Sequence, residues 1–306
     1  MEFLDLHYFV SIAETGSFSK SALQNNIAQS ALSRRVRDLE AELGAALFYR
    51  NGRGVVLTDA GAVFLARARG ILAEREALRQ DMRAAAGEMD GTVKLAVPPS
   101  VGLVLLAPLL RQIRADLPRV KMRVMEGFSG HVADWLAAGK VDLAVLYKMK
   151  SSALLDAEHL LFEDLFLISA PDAPPLGAGA EVPLAGMVSD ELVLPGMPHG
   201  LRVLVEEAAA RLGVTLNVAM ELETLPTILD LVATGGIRTV LPLTAVSREL
   251  QAGRLVAQRI APVISRELIL AHAPHRAASP VTKAVVRLIR TQISDLVRSG
   301  TWAGRL

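Results

Sequence analysis

Hydrophobic positions near the start of the chain recur at the spacing of helices. One set predicts a helix over residues 5–15 with a buried face made of Leu6, Phe9, Val10 and Ala13. Another set predicts a helix over residues 28–44 with a buried stripe made of Leu32, Val36, Leu39 and Leu43. Between them, residues 17–26 predict a short helix that Ser17 or Ser19 caps, and Asn26 predicts a turn. Helices in this order predict a helix-turn-helix core.

The helix over residues 28–44 carries polar and basic side chains opposite its hydrophobic stripe. They are Gln29, Ser30, Ser33, Arg34 and Arg37. Arginine pairs with guanine, glutamine with adenine, and serine with either base. The Asn51-Gly52 step that follows predicts a hairpin wing with Arg50 and Arg53 at its tip. This order predicts a winged helix-turn-helix domain that binds double-stranded DNA, and the alternative is a surface helix with solvated arginines.

Residues 59–90 predict a long helix that Thr58 caps. Its apolar stripe is narrow and is interrupted by Arg75; the stripe consists of Phe64, Ala68, Ile71, Leu78 and Met82. So narrow a stripe needs a partner helix. We expect that partner to be the same helix of a second chain, so that two DNA-binding domains meet two half-sites of a dyad. The alternative is that the helix packs on its own domain.

Short hydrophobic strands alternate with helices beyond Gly91. The strands are predicted at 93–97, 122–126 and 141–147, and again at 191–195, 216–222 and 237–242. This alternation predicts two α/β units with parallel sheets. A last strand over 266–274 and a helix over 279–297 would return to the first unit.

The predicted organisation is therefore an N-terminal domain over residues 1–58, a linker helix over 59–90 and a C-terminal region over 91–306. Within that region we predict lobe I at about 91–162 and 266–306, and lobe II at about 163–265, with a hinged cleft between them. Ligands of open α/β sheets bind beyond the carboxyl ends of strands. The ligand-binding residues predicted by this rule are Ser100, Val101, Gly102, Phe128, Ser129, Tyr147, His199, Arg202 and Thr224. Helix capping is the alternative role for the hydroxyls among them.

Composition limits these interpretations. The chain has 306 residues, 51% of them hydrophobic, and a net charge of +1, so its basic residues must act locally. They cluster near the predicted DNA-binding helix, opposed there mainly by Asp38, Glu40 and Glu42. The chain has no cysteine, which excludes disulfides and thiolate metal sites. No apolar run reaches membrane-spanning length and no signal peptide is evident, so we expect a cytoplasmic protein without a membrane partner.

Residues 1–65 resemble the DNA-binding domain of LysR-type transcriptional regulators. The segments that carry the resemblance are LHYFVSIAETGSFSKSA and QSALSRRVRDLEAELGAALFYRNGRGVVLTDAGAVFL. The length and layout of the remaining chain are similar to the family as well. The resemblance implies that Gln29, Ser30, Ser33 and Arg34 approach bases and phosphates while Arg53 enters from the wing. One departure is Ala28, which stands where the family has a serine or threonine helix cap.

The resemblance also implies an architecture and a function. The fold would be an N-terminal winged helix-turn-helix, a long linker helix and a C-terminal two-lobed α/β domain like that of periplasmic binding proteins. This domain, over residues 91–306, would be the regulatory region, and the nine predicted ligand-binding residues would be effector-binding. The protein would regulate promoters in response to a small-molecule effector, as a homodimer or homotetramer and with RNA polymerase as a partner. Effector-contacting hydroxyls of the family fall at Ser100 and Ser129, and the missing cysteine excludes thiol-based peroxide sensing.

The segment EGFSGHVADWLAAGKVDLAVLY resembles the nitrogen assimilation control subgroup of that family. This local similarity does not identify an effector. A constitutive DNA-binding regulator with an unused cleft therefore stays an alternative.

Enzymatic interpretations find little support in the sequence. No G-x-S-x-G, P-loop or G-x-G-x-x-G motif occurs, since residues 127–131 lack the second glycine of a nucleophile elbow. His272 and His275 bracket Pro274 without a carboxylate or thiolate beside them, so no metal site is expected. We expect no catalytic residue and no cofactor. A solute-binding or catalytic α/β protein is the remaining alternative class.

Overall fold

The computed structural model describes residues 1–51, 54–85, 89–148, 157–174, 176, 181–273 and 279–306, without the side chains of Arg50, Asn51, Gln80, Asp81, Ala84 and Ala85. Helices α1 to α10 span Phe3–Thr15, Phe18–Gln24, Gln29–Leu43, Asp59–Ala85, Pro99–Asp116, Ser129–Ala137, Gly200–Arg211, Leu225–Ala233, Leu243–Gln251 and Pro280–Arg298, and a short 3-10 helix spans Leu184–Met187. Strands β1 to β12 span Phe48–Asn51, Gly54–Leu57, Gly91–Val97, Val120–Glu126, Leu143–Tyr147, Ala157–Ser169, Glu181–Pro183, Leu192–Leu194, Val218–Glu221, Thr239–Pro242, Val256–Ala261 and Ser265–His272. In the part of the chain that is described, no helix has the length and apolarity needed to span a bilayer.

The N-terminal domain is the predicted winged helix-turn-helix. Ser17 caps α2 by accepting a hydrogen bond from the backbone N–H of Lys20 at 3.3 Å, which confirms one of the two predicted caps. Helix α3 begins after Ala28, whose methyl side chain cannot cap it, and ends at Gly44 in the left-handed region at φ 66°. Asn26 also adopts a positive φ, of 52°, in the turn between α2 and α3. The connection between the two helices is therefore as tight as the sequence indicated.

Most of the predicted core of this domain is buried. Leu6, Phe9, Leu32, Val36 and Leu39 are buried, as predicted from their spacing. Leu43, the last residue of α3, is exposed instead, and Ile12 and Tyr8 are buried in addition. The hydrophobic stripe of α3 is thus one residue shorter than the sequence pattern suggested.

Helix α4 belongs to the N-terminal domain for its first turns and leaves it afterwards. Thr58 caps it, accepting from the backbone N–H of Gly61 at 2.9 Å. Phe64 packs edge-on against Phe9 at 4.9 Å between ring centroids, and Ala68 is fully buried in the same core. The prediction that these two residues contact a second chain is therefore wrong. A second apolar set on α4 remains exposed: Ile71 at 43%, Leu78 at 61% and Met82 at 64%.

The regulatory region is built on a mixed sheet in the strand order β4-β3-β5-β12-β6. Strands β4 and β5 run parallel to β3, as predicted. Strand β12 runs antiparallel to β5 and to β6, an orientation that the alternation of strands and helices did not predict. The reason is that β6 carries the chain out of lobe I, and β12 carries it back beside β6 in the opposite direction.

Strand β6 is the main connection between the lobes. Its first half pairs with β12, and its second half pairs with β10 and β11. Leu165 to Ile264 supply the apolar core of lobe II, whereas the largest core of lobe I draws on Val93 to Leu161 and Leu268 to Trp302. In the register between β6 and β12, Glu163 lies opposite Arg266. This pair therefore sits where the chain crosses between lobes.

Candidate DNA-binding surface and interlobe pocket

Helix α3 presents its predicted polar face to solvent. Gln29, Ser30, Arg34 and Arg37 are exposed, and Ser33 is half-buried. Ser19 on α2 donates a hydrogen bond to Gln29 Oε1 at 3.2 Å, which links the two helices at the start of this face. The predicted set therefore shares one accessible surface. We call it the α3 face.

The arginines of α3 divide into two groups. Arg35 forms ion pairs with Asp5 at 2.8 Å and Glu2 at 3.7 Å, so it ties α3 to the start of α1. Neither Arg34 nor Arg37 forms an ion pair with any described residue; Arg37 Nε donates to the backbone oxygen of Ser33 at 3.4 Å. The guanidinium of Arg34 is thus available to an external acceptor.

Acidic residues near the α3 face are largely engaged elsewhere. Glu40 accepts from the backbone N–H groups of Leu47 at 2.8 Å and Phe48 at 3.3 Å, which fixes the start of the wing. Glu42 pairs with the N-terminal ammonium at 2.6 Å. Asp38 is exposed. Two of the three carboxylates expected to oppose the basic residues are therefore partnered within the domain.

The wing consists of β1 and β2. It is anchored where the backbone N–H of Val55 donates to the oxygen of Gly16 at 3.1 Å. Tyr49, which was not among the predicted DNA-binding residues, is an exposed side chain on β1. Arg53 lies outside the described residues, as does the side chain of Arg50, so their predicted place at the tip stays a prediction.

A narrow pocket with about 70 Å³ of free space lies between the two lobes. We call it the interlobe pocket, and its lining consists of Pro98, Pro99, Ser100, Phe128, Ser129, Tyr147, Pro195, His199, Leu201, Glu223, Leu225, Ile228, Leu241, Pro242, Ala245 and Arg266. Five of the nine predicted effector-binding residues are among them: Ser100, Phe128, Ser129, Tyr147 and His199. They come from the ends of strands in both lobes, where the rule for α/β sheets placed them.

The other four predicted residues do not line this pocket. Val101 is fully buried in the core of lobe I. A Cβ on Gly102 would lie 2.3 Å from Glu126 Oε1, so Gly102 serves close packing of α5. Arg202 is paired with Glu206 at 2.8 Å and Glu221 at 3.2 Å on the surface of lobe II.

Thr224 is the remaining one of the four. It is exposed at the start of α8, next to the lining residues Glu223 and Leu225, and it forms no side-chain cap bond. Its position is close to the pocket along the chain but its side chain lies outside the lining.

Arg266 in the lining forms a buried ion pair with Glu163, which lies behind it outside the lining. Arg266 Nη2 and Nε donate to Glu163 Oε2 at 2.7 and 2.9 Å, and Glu163 is 0% exposed. Arg266 Nη2 also donates to Tyr147 Oη at 2.7 Å, and its guanidinium carbon lies 3.5 Å from the centre of that ring. The second carboxylate oxygen, Glu163 Oε1, accepts from Trp302 Nε1 at 3.0 Å and from the hydroxyl of Thr244.

The pair was not predicted from the sequence, although one signal for it is present there. Glu163 interrupts the run Leu160 to Ile168, in which most residues are large and apolar. A carboxylate inside such a strand is buried only when it is paired. Its partner could not be identified from sequence, because Arg266 follows about a hundred positions later and meets it through the register of β6 and β12.

His199 closes the pocket from lobe II and stays neutral. Its Nδ1 accepts a hydrogen bond from the backbone N–H of Leu201 at 3.1 Å, which caps α7. Its ring meets that of Phe128 from lobe I edge-on, with 4.6 Å between centroids. Burial, and secondarily the nearby charge of Arg266, lower the pKa of His199 to about 4. The imidazole proton therefore resides on Nε2 at neutral pH.

The hydroxyl groups of the pocket are held by Tyr147. Ser129 Oγ accepts from the backbone N–H of Tyr147 at 3.2 Å. Ser100 Oγ lies 3.5 Å from Tyr147 Oη and accepts from Arg266 Nη2 at 3.4 Å. Burial raises the pKa of Tyr147, so its phenol stays protonated. Both serines thus have a structural partner and a place in the lining.

Helix α6 extends from the pocket toward the N-terminal domain. Its first residue is Ser129, and just past its last turn the backbone oxygen of Ala138 accepts from Arg69 Nη1 at 3.4 Å. The other terminal nitrogen of Arg69, on α4, pairs with Glu14 of α1 at 3.0 Å. Arg69 thereby contacts the regulatory region and the N-terminal domain at once.

A metal site finds no support among the described residues. No group of three or more histidine, aspartate or glutamate side chains there is arranged to hold an ion. His272 lies at the end of β12, and His275 falls outside the described residues.

Both the N-terminal and the C-terminal part of the chain match a known protein family. Residues 3–62 match the family described as "Bacterial regulatory helix-turn-helix protein, lysR family", and residues 86–294 match "LysR substrate binding domain". The nitrogen assimilation regulatory protein nac of Klebsiella aerogenes is 32% identical over 292 residues, which cover 94% of each chain.

Solved structures of similar overall architecture agree with these matches. A full-length OxyR variant from Pseudomonas aeruginosa superposes with a TM-score of 0.78 and 25% identity, covering 96% of this chain and 94% of its own. Full-length CbnR in complex with its target DNA shares the fold, with a TM-score of 0.54 and 24% identity over 96% of this chain and 100% of its own.

Proposed function

Because the chain belongs to the LysR family of transcriptional regulators, we propose that the α3 face reads base edges in the major groove of a promoter. The observation that carries this assignment is the division of the arginines: Arg35 is bound within the domain, whereas Arg34 and Arg37 project from the face without an ion pair among the described residues. Arg34 can donate two parallel bonds to guanine O6 and N7, and Gln29 can bond adenine. The wing supplies phosphate contacts beside this helix, through Tyr49 and the predicted Arg50 and Arg53.

We further propose that the chain acts as a dimer, itself able to form a tetramer. The exposed set Ile71, Leu78 and Met82 on α4 supplies the apolar contact between two linker helices. Two α3 faces related by a two-fold axis then meet two half-sites of a dyad. The protein is proposed to work in the cytoplasm, with RNA polymerase at the promoter, and to regulate transcription without catalysing a reaction.

The interlobe pocket is proposed to hold the effector. It joins strand ends from both lobes, and the lobes meet over it through Phe128 and His199. A ligand in this pocket changes transcription only if it binds one arrangement of the lobes more tightly than another. The Glu163–Arg266 pair lies on the two strands that cross between lobes, where a change of lobe angle must be accommodated.

Helix α6 and Arg69 are proposed to connect the pocket with the N-terminal domain. One end of α6 lines the pocket at Ser129, and the other contacts Arg69, which also holds Glu14. A movement of α6 would thus change the angle between α4 and the regulatory region. In Arg69→Ala protein, operator binding should persist while the length of the DNase footprint changes. An unchanged footprint would contradict the proposal that Arg69 connects the pocket with the N-terminal domain.

The DNA assignment is tested by selecting operator sequences from random DNA with the full chain. The double variant Ser33→Ala/Arg34→Ala should lose about 1–3 kcal/mol of discrimination against the wrong base for each bidentate contact removed. Arg35→Ala is the matched control, since it deletes the same side chain from the same helix but one that is bound to Asp5. Equal loss of sequence preference in both proteins would refute the assignment.

A constitutive regulator without an effector is the second candidate. The observation that favours it is the small size of the pocket, about 70 Å³, together with the internal hydrogen bonds of its hydroxyls. Thermal-shift screening of the full chain with small metabolites separates the two, because a true ligand stabilises the folded protein by mass action. Stabilisation that disappears when Ala245 in the lining is enlarged to leucine would support the sensor.

A further inference from the structure

The interlobe pocket is lined by side chains that carry almost no unbalanced charge. Arg266 is its cation among the described lining residues, and its guanidinium is already bonded twice to Glu163 Oε2, at 2.7 and 2.9 Å. The carboxylate of Glu163 is fully buried, so solvent does not screen it. The pair therefore presents no net charge to a ligand.

The remaining polar groups of the pocket are neutral donors and acceptors. His199 carries its proton on Nε2 because Nδ1 accepts from Leu201, and burial lowers its pKa to about 4. Ser129 Oγ accepts from Tyr147, which leaves its own O–H free to donate. The other charged side chain of the lining, Glu223, is an exposed carboxylate at the mouth. An anionic ligand would meet the exposed carboxylate of Glu223 and, as the cation among the described lining residues, Arg266, which is already paired with Glu163.

The rest of the lining is apolar and encloses a small space. Leu201, Ile228, Leu241 and the ring of Phe128 surround about 70 Å³ of free space. A carboxylate entering this space would have to give up its hydration without gaining a free counter-charge. A neutral amide or hydroxyl loses less hydration free energy on entering and can form hydrogen bonds with the same serine and histidine groups.

We propose that the interlobe pocket takes a compact, uncharged effector with an apolar body and one amide or hydroxyl group, and that Glu163 determines this specificity by occupying the guanidinium of Arg266. This inference rests on the proposed function of the pocket as the effector site. Glu163 is thus an internal substitute for the carboxylate that an acidic effector would bring to Arg266. Removing its charge should convert the pocket into an anion site.

Isobutyramide and isobutyrate are suitable probes, because they have the same shape and differ in charge. Their affinities for the full chain are measured by saturation-transfer NMR at constant ionic strength. The wild-type protein should bind isobutyramide about tenfold more tightly than isobutyrate, a difference of about 1.4 kcal/mol. In Glu163→Gln protein the order should reverse. Tighter binding of isobutyrate by wild-type protein would overturn the proposal, as would a Glu163→Gln variant that keeps the wild-type order.

Two further variants make the result specific to Arg266. Glu223→Gln removes the same charge from the exposed mouth of the pocket and should change the ratio of the two affinities less than Glu163→Gln does. Glu163→Gln/Arg266→Gln should lose the gained affinity for isobutyrate, because the cation is gone. If that affinity survives in the double variant, the anion binds elsewhere and the proposal fails.

The same experiment separates this inference from the proposed function. If Glu163→Gln unfolds at lower temperature because Arg266 is left unpaired, isobutyrate should raise its melting temperature more than isobutyramide does at the same concentration. The reverse order counts against the proposal. If wild-type protein binds isobutyrate and the Ala245→Leu substitution abolishes that binding, the pocket remains the effector site. The proposal that its effector is uncharged is then overturned. Binding of neither probe to any of these proteins would overturn both.

Discussion

Replacing Thr244 by valine removes one hydroxyl donor from the buried carboxylate of Glu163 and leaves the shape of the side chain nearly unchanged. Thr244 is 2% exposed on α9 of lobe II, and its hydroxyl donates to Glu163 Oε1. After the change that oxygen keeps only the bond from Trp302 Nε1, at 3.0 Å, among the described donors. A hydrogen bond to a charged group contributes about 1.5–3 kcal/mol, so we expect Thr244→Val to lower the free energy of unfolding by that amount.

Thr239→Val is the matched control. Thr239 is also buried in lobe II, and its hydroxyl donates to the backbone oxygen of Val193 at 2.7 Å, a neutral acceptor. A bond between neutral groups contributes about 0.5–1.5 kcal/mol. The two substitutions are chemically identical, so the difference between them isolates the charge of Glu163.

The assay is urea unfolding of the full chain followed by tryptophan fluorescence. Both tryptophans, Trp135 and Trp302, lie in the regulatory region, so unfolding of the N-terminal domain does not contribute to the signal. The comparison is valid when the dependence of the free energy on urea is the same for both variants. If Thr239→Val lowers stability as much as Thr244→Val, or more, then Glu163 is not an ionised acceptor held by charge-assisted bonds.

Three other predictions concern separate parts of the molecule. Folding lowers the pKa of His199 from 6.5 to about 4, so as the pH falls the unfolded chain binds this proton before the folded one does. The free energy of unfolding should therefore drop between about pH 6.5 and pH 4, and His199→Gln should make that drop smaller in urea titrations. Gly61→Ala should lower the melting temperature, because the added Cβ would lie 2.1 Å from the backbone oxygen of Leu47. In the same helix, the Cβ of Gly70→Ala would meet nothing within 4 Å in this chain, so that variant should be as stable as the wild type or more stable; the reverse order would contradict the packing of α4. Leu78→Glu should shift the full chain toward monomer in analytical ultracentrifugation while Arg79→Glu does so less, and an unchanged dimer in Leu78→Glu would place the interface elsewhere.

The N-terminal domain could be predicted from sequence because its contacts are local. The spacing of Leu32, Val36 and Leu39 gives both the buried side of α3 and, by exclusion, its polar face. Ser17 and Thr58 each cap a helix within three residues of their own position. Leu43 was misassigned because its spacing continues the buried stripe to the last residue of α3, where the side chain is exposed.

The interlobe pocket could be predicted only in part. Residues at strand ends, such as Ser129 and Tyr147, follow from the alternation of strands and helices. Strand β6 was not recognised, because Glu158, Glu163 and Asp164 break its apolar pattern. Arg266 became part of the site through the antiparallel register of β6 and β12, which depends on the fold of both lobes. Long-range pairing of this kind leaves no local pattern along the chain.

We propose that the α3 face reads bases, and the Arg34→Lys variant decides whether it does. Lysine keeps the positive charge of Arg34 but lacks the planar fork that bonds guanine O6 and N7 together. We predict that sequences selected from random DNA by the variant lose their preference at one position in each half-site, while the salt dependence of binding stays the same. An Arg34→Lys protein that selects the same sequences as the wild type would contradict the claim.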